Sequence, residues 1–364
     1  EVWRLDDLGP SYSGPVADSE RVFTTSTEEN GFEVVRALDR ATGKELWRHQ
    51  WSGAMTVPFF AASNGSWIRS TPTLDEGHLY VAGMRDVLQC LKAESGEVLW
   101  SVDFTERFES DLPPFGCVCS PMVIGDALVI QAGAAVVMLN KITGATIWRA
   151  MVDDGDMMSA GAFSSPIRAT IAGREQLIVQ SRTALAGLDI QSGEALWSTP
   201  VKAFRGMNIL TPIVRGDSVF TSTYGGRSQL FAIEVDDDGL MGVTPSWNAP
   251  VQGYMSSPVV IDDHAYIFGR NNRFACVDLE RGEEKWTSSP TGDSYWSLAY
   301  QGDRILALSD TGRLRMLKAT PSGYEVIQER DLVNDQSWAH IAPVGNQLFV
   351  RAQESLIAFE WQKP

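Results

Sequence analysis

The stretch LDRATGKELW, residues 38 to 47, decides the fold of this chain because variants of it return at regular intervals. LKAESGEVLW occupies 91 to 100, LNKITGATIW occupies 139 to 148, and LDIQSGEALW occupies 188 to 197. The glycines of the repeat recur about every 47 residues on average, close to the period of propeller blades, so about eight units fit in the chain. The repeat glycines are Gly43, Gly96, Gly144, Gly193, Gly239, Gly282 and Gly323.

Each repeat reads as strands and turns only. In residues 69 to 104, apolar and β-branched runs of four to seven residues alternate with Gly, Asp, Asn or Ser at the breaks. Such punctuation is typical of four short strands in an antiparallel meander. A sheet this small cannot bury both faces alone, so the units stack around an axis as propeller blades. We therefore predict an all-β fold, an eight-bladed β-propeller forming one domain over residues 1–364.

The eighth blade needs a strand from the other end of the chain. Residues 338 to 361 contain three strands but no fourth, whereas EVWRLDD at 1 to 7 resembles the last strand of a repeat. We predict that this N-terminal segment pairs onto the last blade and leaves no open sheet edge. The predicted blades are 11 to 51, 69 to 104, 117 to 152, 163 to 201, 209 to 251, 255 to 290, 295 to 333, and 338 to 361 with 1 to 8.

A tryptophan ends most repeats. We predict that it lies on the outer strand, where its ring covers the gap between neighbouring blades. Blades five and seven depart from the motif at 233 to 247 and 317 to 331, where the Gly is kept and the Trp shifts or disappears. The repeat tryptophans are Trp47, Trp100, Trp148, Trp197 and Trp286.

The charge of the chain argues against two classes of partner. Acidic residues outnumber basic ones 46 to 30, a formal net charge of -16, which opposes nucleic acid and anionic lipid. We expect no nucleic-acid partner and no membrane span, since no apolar run reaches about 18 residues. The four cysteines lack zinc-site spacing, and no metal site is predicted. The first residue is Glu1 rather than Met, so we expect a processed chain whose signal peptide was removed. We also expect a monomer.

The series LDxxTGKxLW, with Ser or Thr before a Pro ahead of the first strand, resembles the pyrroloquinoline-quinone-like β-propeller repeat family over essentially the whole chain. That family includes quinoprotein alcohol dehydrogenases and a cofactor-free branch, the BamB-like outer-membrane assembly scaffolds. The resemblance implies a periplasmic or secreted protein.

The dehydrogenase alternative implies pyrroloquinoline quinone with calcium as cofactors. The quinone enzymes carry a vicinal Cys-Cys pair, a Trp floor, calcium ligands and a catalytic Asp. This chain has only Cys117 and Cys119, separated by one residue, and little room for insertions. We therefore predict no cofactor and no catalytic residue.

Binding residues are expected at the mouth of a central funnel, on the loops that enter each inner strand. The residue three positions before the repeat Pro differs from blade to blade. At and beside this position the chain carries aromatic rings and hydrogen-bonding side chains, and variation on a repeated frame is where binding residues are expected. The candidate ligand-binding residues in this group are Tyr12, Arg69, Asn208, Tyr254, Tyr295, Trp296, Trp338 and His340.

A second group lies in the loops between second and third strands. Arginines recur there and would form a positive collar suited to carboxylate or sulfate, although pairing with nearby acids is the simpler alternative. The candidates are Arg85, Arg182, Arg227 and Arg270, with Arg313 and Arg351 placed similarly.

Two functional hypotheses follow. The first is a non-catalytic binding or scaffold propeller of an exported compartment that holds a protein, or an anionic glycan or small molecule, at the funnel. The alternative is an enzyme, either a quinoprotein-type dehydrogenase or another funnel-based enzyme acting on acidic sugars.

Overall fold

Eight four-stranded antiparallel sheets, the blades of an eight-bladed β-propeller, make up the fold. The computed structural model of the chain describes residues 1–28, 30–53, 55–59, 62, 65–153 and 161–361, and their secondary structure is nearly all β. The all-β propeller predicted from the repeats is thus confirmed. The chain forms two compact units, Glu1–Gly161 with Val333–Pro364 (unit 1) and Ala162–Leu332 (unit 2). That the whole chain is one domain stays a prediction.

Unit 1 contains blades one, two, three and eight. Each blade is a meander in which strands that follow one another in sequence pair. Blade one is β2 (Val16–Ala17), β3 (Arg21–Thr27), β4 (Phe32–Asp39) and β5 (Glu45–Ser52). Blade two is β6 (Thr73–Asp75), β7 (His78–Gly83), β8 (Val87–Lys92) and β9 (Val98–Asp103). Blade three is β10 (Met122–Ile124), β11 (Ala127–Ala132), β12 (Ala135–Asn140) and β13 (Thr146–Ala150).

One short helix, α1 (Phe104–Phe108), follows blade two. The carboxylate of Asp103 caps its N-terminus by accepting hydrogen bonds from the backbone N–H groups of Thr105 and Glu106, as N-cap aspartates do. Glu109 ends the helix in a left-handed conformation. The cap fixes where the chain leaves blade two.

Unit 2 contains blades four to seven. Blade four is β14 (Ile167–Ile171), β15 (Arg174–Gln180), β16 (Ala184–Asp189) and β17 (Ala195–Pro200). Blade five is β18 (Ile213–Arg215), β19 (Ser218–Ser222), β20 (Ser228–Val235) and β21 (Met241–Ala249), preceded by a single 3-10 turn, Phe204–Gly206. Blade six is β22 (Val259–Ile261), β23 (His264–Phe268), β24 (Phe274–Asp278) and β25 (Glu284–Thr287). Blade seven is β26 (Trp296–Gln301), β27 (Arg304–Ser309), β28 (Arg313–Lys318) and β29 (Glu325–Asp331).

The eighth blade is closed by the N-terminus, as predicted. Strand β1 (Trp3–Leu5) pairs antiparallel with β32 (Leu356–Glu360), with Trp3 opposite Ala358. The remaining strands of this blade are β30 (Ala342–Val344) and β31 (Gln347–Arg351). The indole of Trp3 donates to the backbone oxygen of Arg40 in blade one at 2.9 Å. A strand from each end of the chain therefore completes one sheet.

The repeat tryptophan and the repeat glycine of the next blade form one joint. In blade one, Trp47 Nε1 donates to the backbone oxygen of Ala93 at 3.0 Å. Gly96 has φ +74°, and a Cβ there would lie 2.6 Å from the Trp47 ring. Only glycine supplies both that conformation and that closeness. The predicted covering role of the ring is confirmed, and the regular spacing of the motif is explained by this contact. The same joint links Trp3 with Gly43, Trp100 with Gly144, and Trp247 with Gly282.

The tryptophans of blades five and four depart from the regular arrangement. In blade five the Trp sits near the end of a nine-residue outer strand, yet Trp247 still donates to the backbone oxygen of Leu279 at 2.8 Å. In blade four, Trp197 is buried and donates at 2.7 Å to Gln176 Oε1, a side chain of its own blade. The shifted tryptophan of blade five thus keeps its role.

Candidate functional site

The predicted binding residues lie at one end of the blades. They occupy the loops that lead into inner strands and the turns between second and third strands, and each unit carries its own set. The Trp and Gly joints lie at the opposite turns. The structure separates the predicted residues into buried and accessible ones.

Four predicted binding residues are buried in unit 2, which corrects their expected place on an accessible surface. They are Arg182, Asn208, Tyr295 and Trp296. Trp296 is fully buried and packs edge-on against Phe274 at 5.4 Å between ring centroids. It begins strand β26, where side-chain alternation points it into the core. Burial also raises the pKa of the Tyr295 hydroxyl well above its ordinary value.

Arg182 and Asn208 brace a loop. Arg182 Nη2 donates to the backbone oxygen of Arg205 at 2.7 Å. The Asn208 amide donates to the backbone oxygens of Arg182 and Val201, both at 3.0 Å. Buried polar groups are retained where they satisfy backbone acceptors in this way. These two side chains therefore hold the 201 to 208 loop in place from below.

The predicted arginine collar divides into three kinds of side chain. Arg85, Arg227 and Arg270 are exposed. Arg313 faces carboxylates, with Nε 3.4 Å from an Asp331 oxygen, so the simpler alternative of pairing with acids holds there.

Arg351 is the third kind, since it is fully buried. Its guanidinium donates to backbone oxygens, including that of Gly9 at 2.6 Å. Burial lowers its pKa to about 9. The side chain links blades eight and one, and it does not belong to a collar.

The accessible residues of unit 2 form a patch of rings and arginines. We call Phe204, Arg205, Tyr224, Tyr254 and Arg270 the unit 2 patch. Tyr224 lies 4.9 Å from Tyr254 and 5.6 Å from Phe204 between ring centroids. The guanidinium of Arg270 lies 4.8 Å above the Tyr224 ring, and that of Arg205 lies 5.2 Å above the Phe204 ring. Phe204 is 52% exposed.

Backbone contacts hold this patch. The N–H of Phe204 donates to the Tyr224 oxygen at 2.8 Å. Gly225 has φ +69°, and a Cβ there would lie 2.8 Å from that of Phe204. Arg205 is left-handed, with φ 52°, which costs a non-glycine residue about 1–2 kcal/mol. The loop thus presents Phe204 and Arg205 outward on a fixed backbone.

The accessible residues of unit 1 gather around Tyr12. Its ring lies 5.2 Å from that of Trp67 and 6.0 Å from that of Trp338, both edge-on. The guanidinium of Arg69 lies 5.1 Å from the Tyr12 centroid. We call Tyr12, Trp67, Arg69 and Trp338 the unit 1 cluster.

His340 is exposed in the same unit. The protein around it disfavours the charged imidazolium by desolvation, which lowers its pKa. It therefore acts as a neutral hydrogen-bonding group near pH 7.

Two buried carboxyl groups lie within blades one and two of unit 1, at the same end of these blades. Glu33 accepts from the N–H of Met84 at 2.9 Å, and burial raises its pKa to about 8. Asp86 accepts from the N–H of Gly133 at 2.8 Å, and burial raises its pKa to about 7. Both are tied to the turn that joins β7 and β8. This end of blade two is therefore sensitive to proton concentration.

Phe204, Arg205, Tyr224 and Trp67 were not predicted as site residues. Phe204 and Arg205 lie in KAFRGMN, residues 202 to 208, farther from the repeat Pro than the position used for prediction. An aromatic residue beside Arg-Gly in a loop was the available signal.

The comparisons with known proteins agree on one family. The family model described as outer membrane protein assembly factor BamB matches residues 31–288. Outer membrane protein assembly factor BamB of Moranella endobia is 22% identical over 293 residues, covering 77% of this chain and 68% of that protein. The corresponding protein of Shewanella oneidensis is 23% identical over 270 residues, covering 70% and 61%. The alignments thus span about two thirds of the length of these relatives.

Two solved structures resemble the fold. BamB from Moraxella catarrhalis has a TM-score of 0.68 at 13% identity, covering 99% of this chain and 97% of that one. The computationally designed Ika8 protein has a TM-score of 0.64 at 11% identity, covering 98% and 100%. At such identities the likeness supports the fold alone.

Proposed function

This chain belongs to the outer membrane protein assembly factor BamB family, and on that basis we propose that it is a non-catalytic, protein-binding propeller of outer membrane protein assembly. The proposal places it in the periplasm, where the relatives' named activity would be carried out. No helix among the described residues is long and apolar enough to cross a membrane.

The unit 2 patch is the observation that carries the proposal. Aromatic rings and arginines are enriched where proteins bind one another, because they combine a large apolar area with directional polar groups. Phe204 is 52% exposed, yet the backbone beneath it is fixed by Arg182 and Gly225. A fixed loop loses little conformational entropy on binding. With two exposed guanidinium groups, the patch suits a partner surface that carries carboxylates beside apolar side chains.

The side chains of this protein do not fit pyrroloquinoline quinone with calcium, the cofactors that the quinoprotein alternative requires. Cys117 and Cys119 are both buried, and the Cys117 thiol donates to the Cys119 backbone oxygen at 3.7 Å. They are not the vicinal pair of the quinone enzymes. Among the described residues, no three His, Cys, Asp or Glu side chains converge to hold calcium. An anionic glycan or small molecule, in contrast, stays a proposal for the unit 1 cluster.

Site-specific photo-crosslinking in living cells tests the proposed function. The photoreactive residue p-benzoylphenylalanine replaces Phe204 in one strain and Leu240 in another. Leu240 is 67% exposed and lies in the outer turn of blade five, at the opposite end from Phe204. We expect light-dependent adducts at position 204 that contain an outer membrane assembly protein, and none at position 240.

A charge reversal gives the matched control. Arg205→Glu, combined with p-benzoylphenylalanine at 204, should reduce the adduct yield because it opposes a partner carrying carboxylates. Equal adducts at 204 and 240 would contradict the patch as the binding surface. Adducts at 204 that contain only proteins unrelated to the outer membrane would contradict the assembly role and leave the surface in place.

A further inference from the structure

The unit 1 cluster differs from the unit 2 patch in its depth. Its rings are half-buried, whereas Phe204 projects with 52% of its surface exposed. Tyr12 lies between the edges of Trp67 and Trp338, within 6.0 Å of each. Flat partner surfaces contact rings that project. The rings of the unit 1 cluster pack against one another edge-on, so their exposed parts form a shallow apolar surface on which a small ligand can stack.

The cluster is built rather than accidental. The N–H of Tyr12 donates to the Ile68 oxygen, and the N–H of Ile68 donates to the Thr27 hydroxyl, each at 2.9 Å. Gly65, at φ +68°, packs its backbone against the Trp67 ring, since a Cβ there would lie 2.4 Å from it. The same glycine accepts a hydrogen bond from Arg69 Nη2 at 2.8 Å. One turn therefore fixes both an indole and a guanidinium.

Arg69 retains unused hydrogen-bonding capacity. Among the described residues, Arg69 Nη2 donates its hydrogen bond to the backbone oxygen of Gly65, and the guanidinium forms no ion pair. Nε has no partner there and is out of contact with water. Desolvation lowers its pKa, but the group stays charged near neutrality. The chain has a net charge of -16, yet this cation has no acidic partner among the described residues. An anionic ligand could therefore form a charge-assisted hydrogen bond with it.

The hydroxyl group of Tyr12, the central ring, also bears on which ligand fits. Burial raises the pKa of Tyr12, so its hydroxyl stays protonated and can donate or accept a hydrogen bond. The exposed His340 lies two residues after Trp338, in the same loop that leads into strand β30. A ligand at this cluster thus meets apolar ring surfaces and one cation.

We propose that the unit 1 cluster binds an acidic saccharide. The C–H face of a pyranose ring packs against indole and phenol rings, and a ring carboxylate pairs with the Arg69 guanidinium. A cationic ligand is disfavoured because Arg69 already lies over the Tyr12 ring. A neutral sugar leaves the guanidinium without its anion.

Tryptophan fluorescence and calorimetry with two matched trisaccharides test this site. Trigalacturonic acid carries carboxylates, and maltotriose is neutral. We expect saturable binding of trigalacturonic acid to the intact chain, with maltotriose at least about tenfold weaker, which is the ratio a single charge-assisted pair supports. Absence of saturable binding by trigalacturonic acid, or equal binding of the two sugars, would overturn the proposal.

Two variants locate the binding. Arg69→Met should lower the affinity for trigalacturonic acid about tenfold and leave maltotriose unchanged. Trp338→Ala should weaken both sugars, while Trp338→Phe, which keeps a ring, should retain most of the binding. Circular dichroism checks that each variant folds, and Trp338→Phe keeps the test valid if Arg69→Met does not.

Arg227→Met, an exposed arginine of unit 2 outside the unit 2 patch, is the matched arginine control and should bind both sugars like the parent chain. If Arg227→Met loses as much affinity as Arg69→Met, the sugar binds elsewhere and the assignment is wrong. Pyrroloquinoline quinone also carries carboxylates on a ring system, so a titration with it distinguishes a quinone site from a saccharide site. Quenching by the quinone with none by trigalacturonic acid would replace the saccharide with a quinone ligand.

Discussion

The two ends of the blades differ in what their residues contact. At the outer-turn end, the same pair recurs: an indole of one blade lies on the glycine of the next, as Trp47 does on Gly96. At the other end, each loop is individual and carries rings, guanidinium groups and buried carboxyls. Residues that repeat therefore hold blades together, and residues that break the repeat are free to bind. The following experiments test that division.

The largest expected effect is at the joint. Gly96→Ala would place a Cβ 2.6 Å from the Trp47 ring, at φ +74°. Left-handed strain costs about 1–2 kcal/mol, and overpacking adds about 1–3 kcal/mol. We expect a loss of about 2–5 kcal/mol in the free energy of unfolding, measured by urea denaturation.

Gly77→Ala is the control for this prediction. Gly77 has nearly the same conformation, φ +79°, and a Cβ added there would meet nothing within 4 Å. It should show the strain without the clash, about 1–2 kcal/mol. Equal losses for the two variants would show that the indole contact contributes nothing beyond backbone conformation.

The next largest effect is a pH dependence of stability that arises from Glu33, at the opposite end of the blades. Its pKa is raised from 4.5 to about 8 by burial, so the folded state holds a proton that the unfolded state releases between these values. Its contribution to stability is complete below pH 4.5 and is lost as pH rises through 8. We expect Glu33 to lower the free energy of unfolding by up to about 1.4 kcal/mol per pH unit across this window.

Two amide variants separate the contributing groups. Glu33→Gln should flatten the pH dependence without abolishing it, because Asp86, with a pKa of about 7, titrates in the same direction. Asp86→Asn should remove the remaining slope in the double variant. An unchanged slope in Glu33→Gln would show that the buried carboxyl does not govern this end of the blade.

The fold could be predicted from sequence because its joints are local patterns. In most blades the Trp follows the Gly by four residues, and in blade five Trp247, on a lengthened strand, still reaches Gly282. The site was less predictable because a loop residue's direction depends on where the strand begins. Trp296 lies next to a divergent position but starts β26, and alternation buries it. Phe204 was missed because its loop is long and has no counterpart in the repeat.

Blade four, where Trp197 forms its hydrogen bond within its own blade, offers a smaller test. Gln176→Leu removes the acceptor of the buried Trp197 indole N–H, whose hydrogen bond is 2.7 Å long. An unpaired buried donor costs about 1–3 kcal/mol. Adding Trp197→Phe removes the donor as well, so the double variant should recover part of the loss relative to Gln176→Leu. Strictly additive losses in this cycle would show that the two side chains do not depend on one another.

The smallest expected change concerns Arg205, and it has the opposite sign. Its left-handed conformation favours glycine, so Arg205→Gly relieves strain of about 1–2 kcal/mol. Greater freedom of the unfolded chain offsets about 0.4–1 kcal/mol of that gain. Thermal denaturation should therefore show a gain of between about 0 and 1.6 kcal/mol, while the yield of crosslinked adducts from position 204 falls. A chain that keeps arginine where glycine would be more stable retains it for its side chain. A loss of stability in Arg205→Gly would instead make the guanidinium part of the support for the loop, like Arg182.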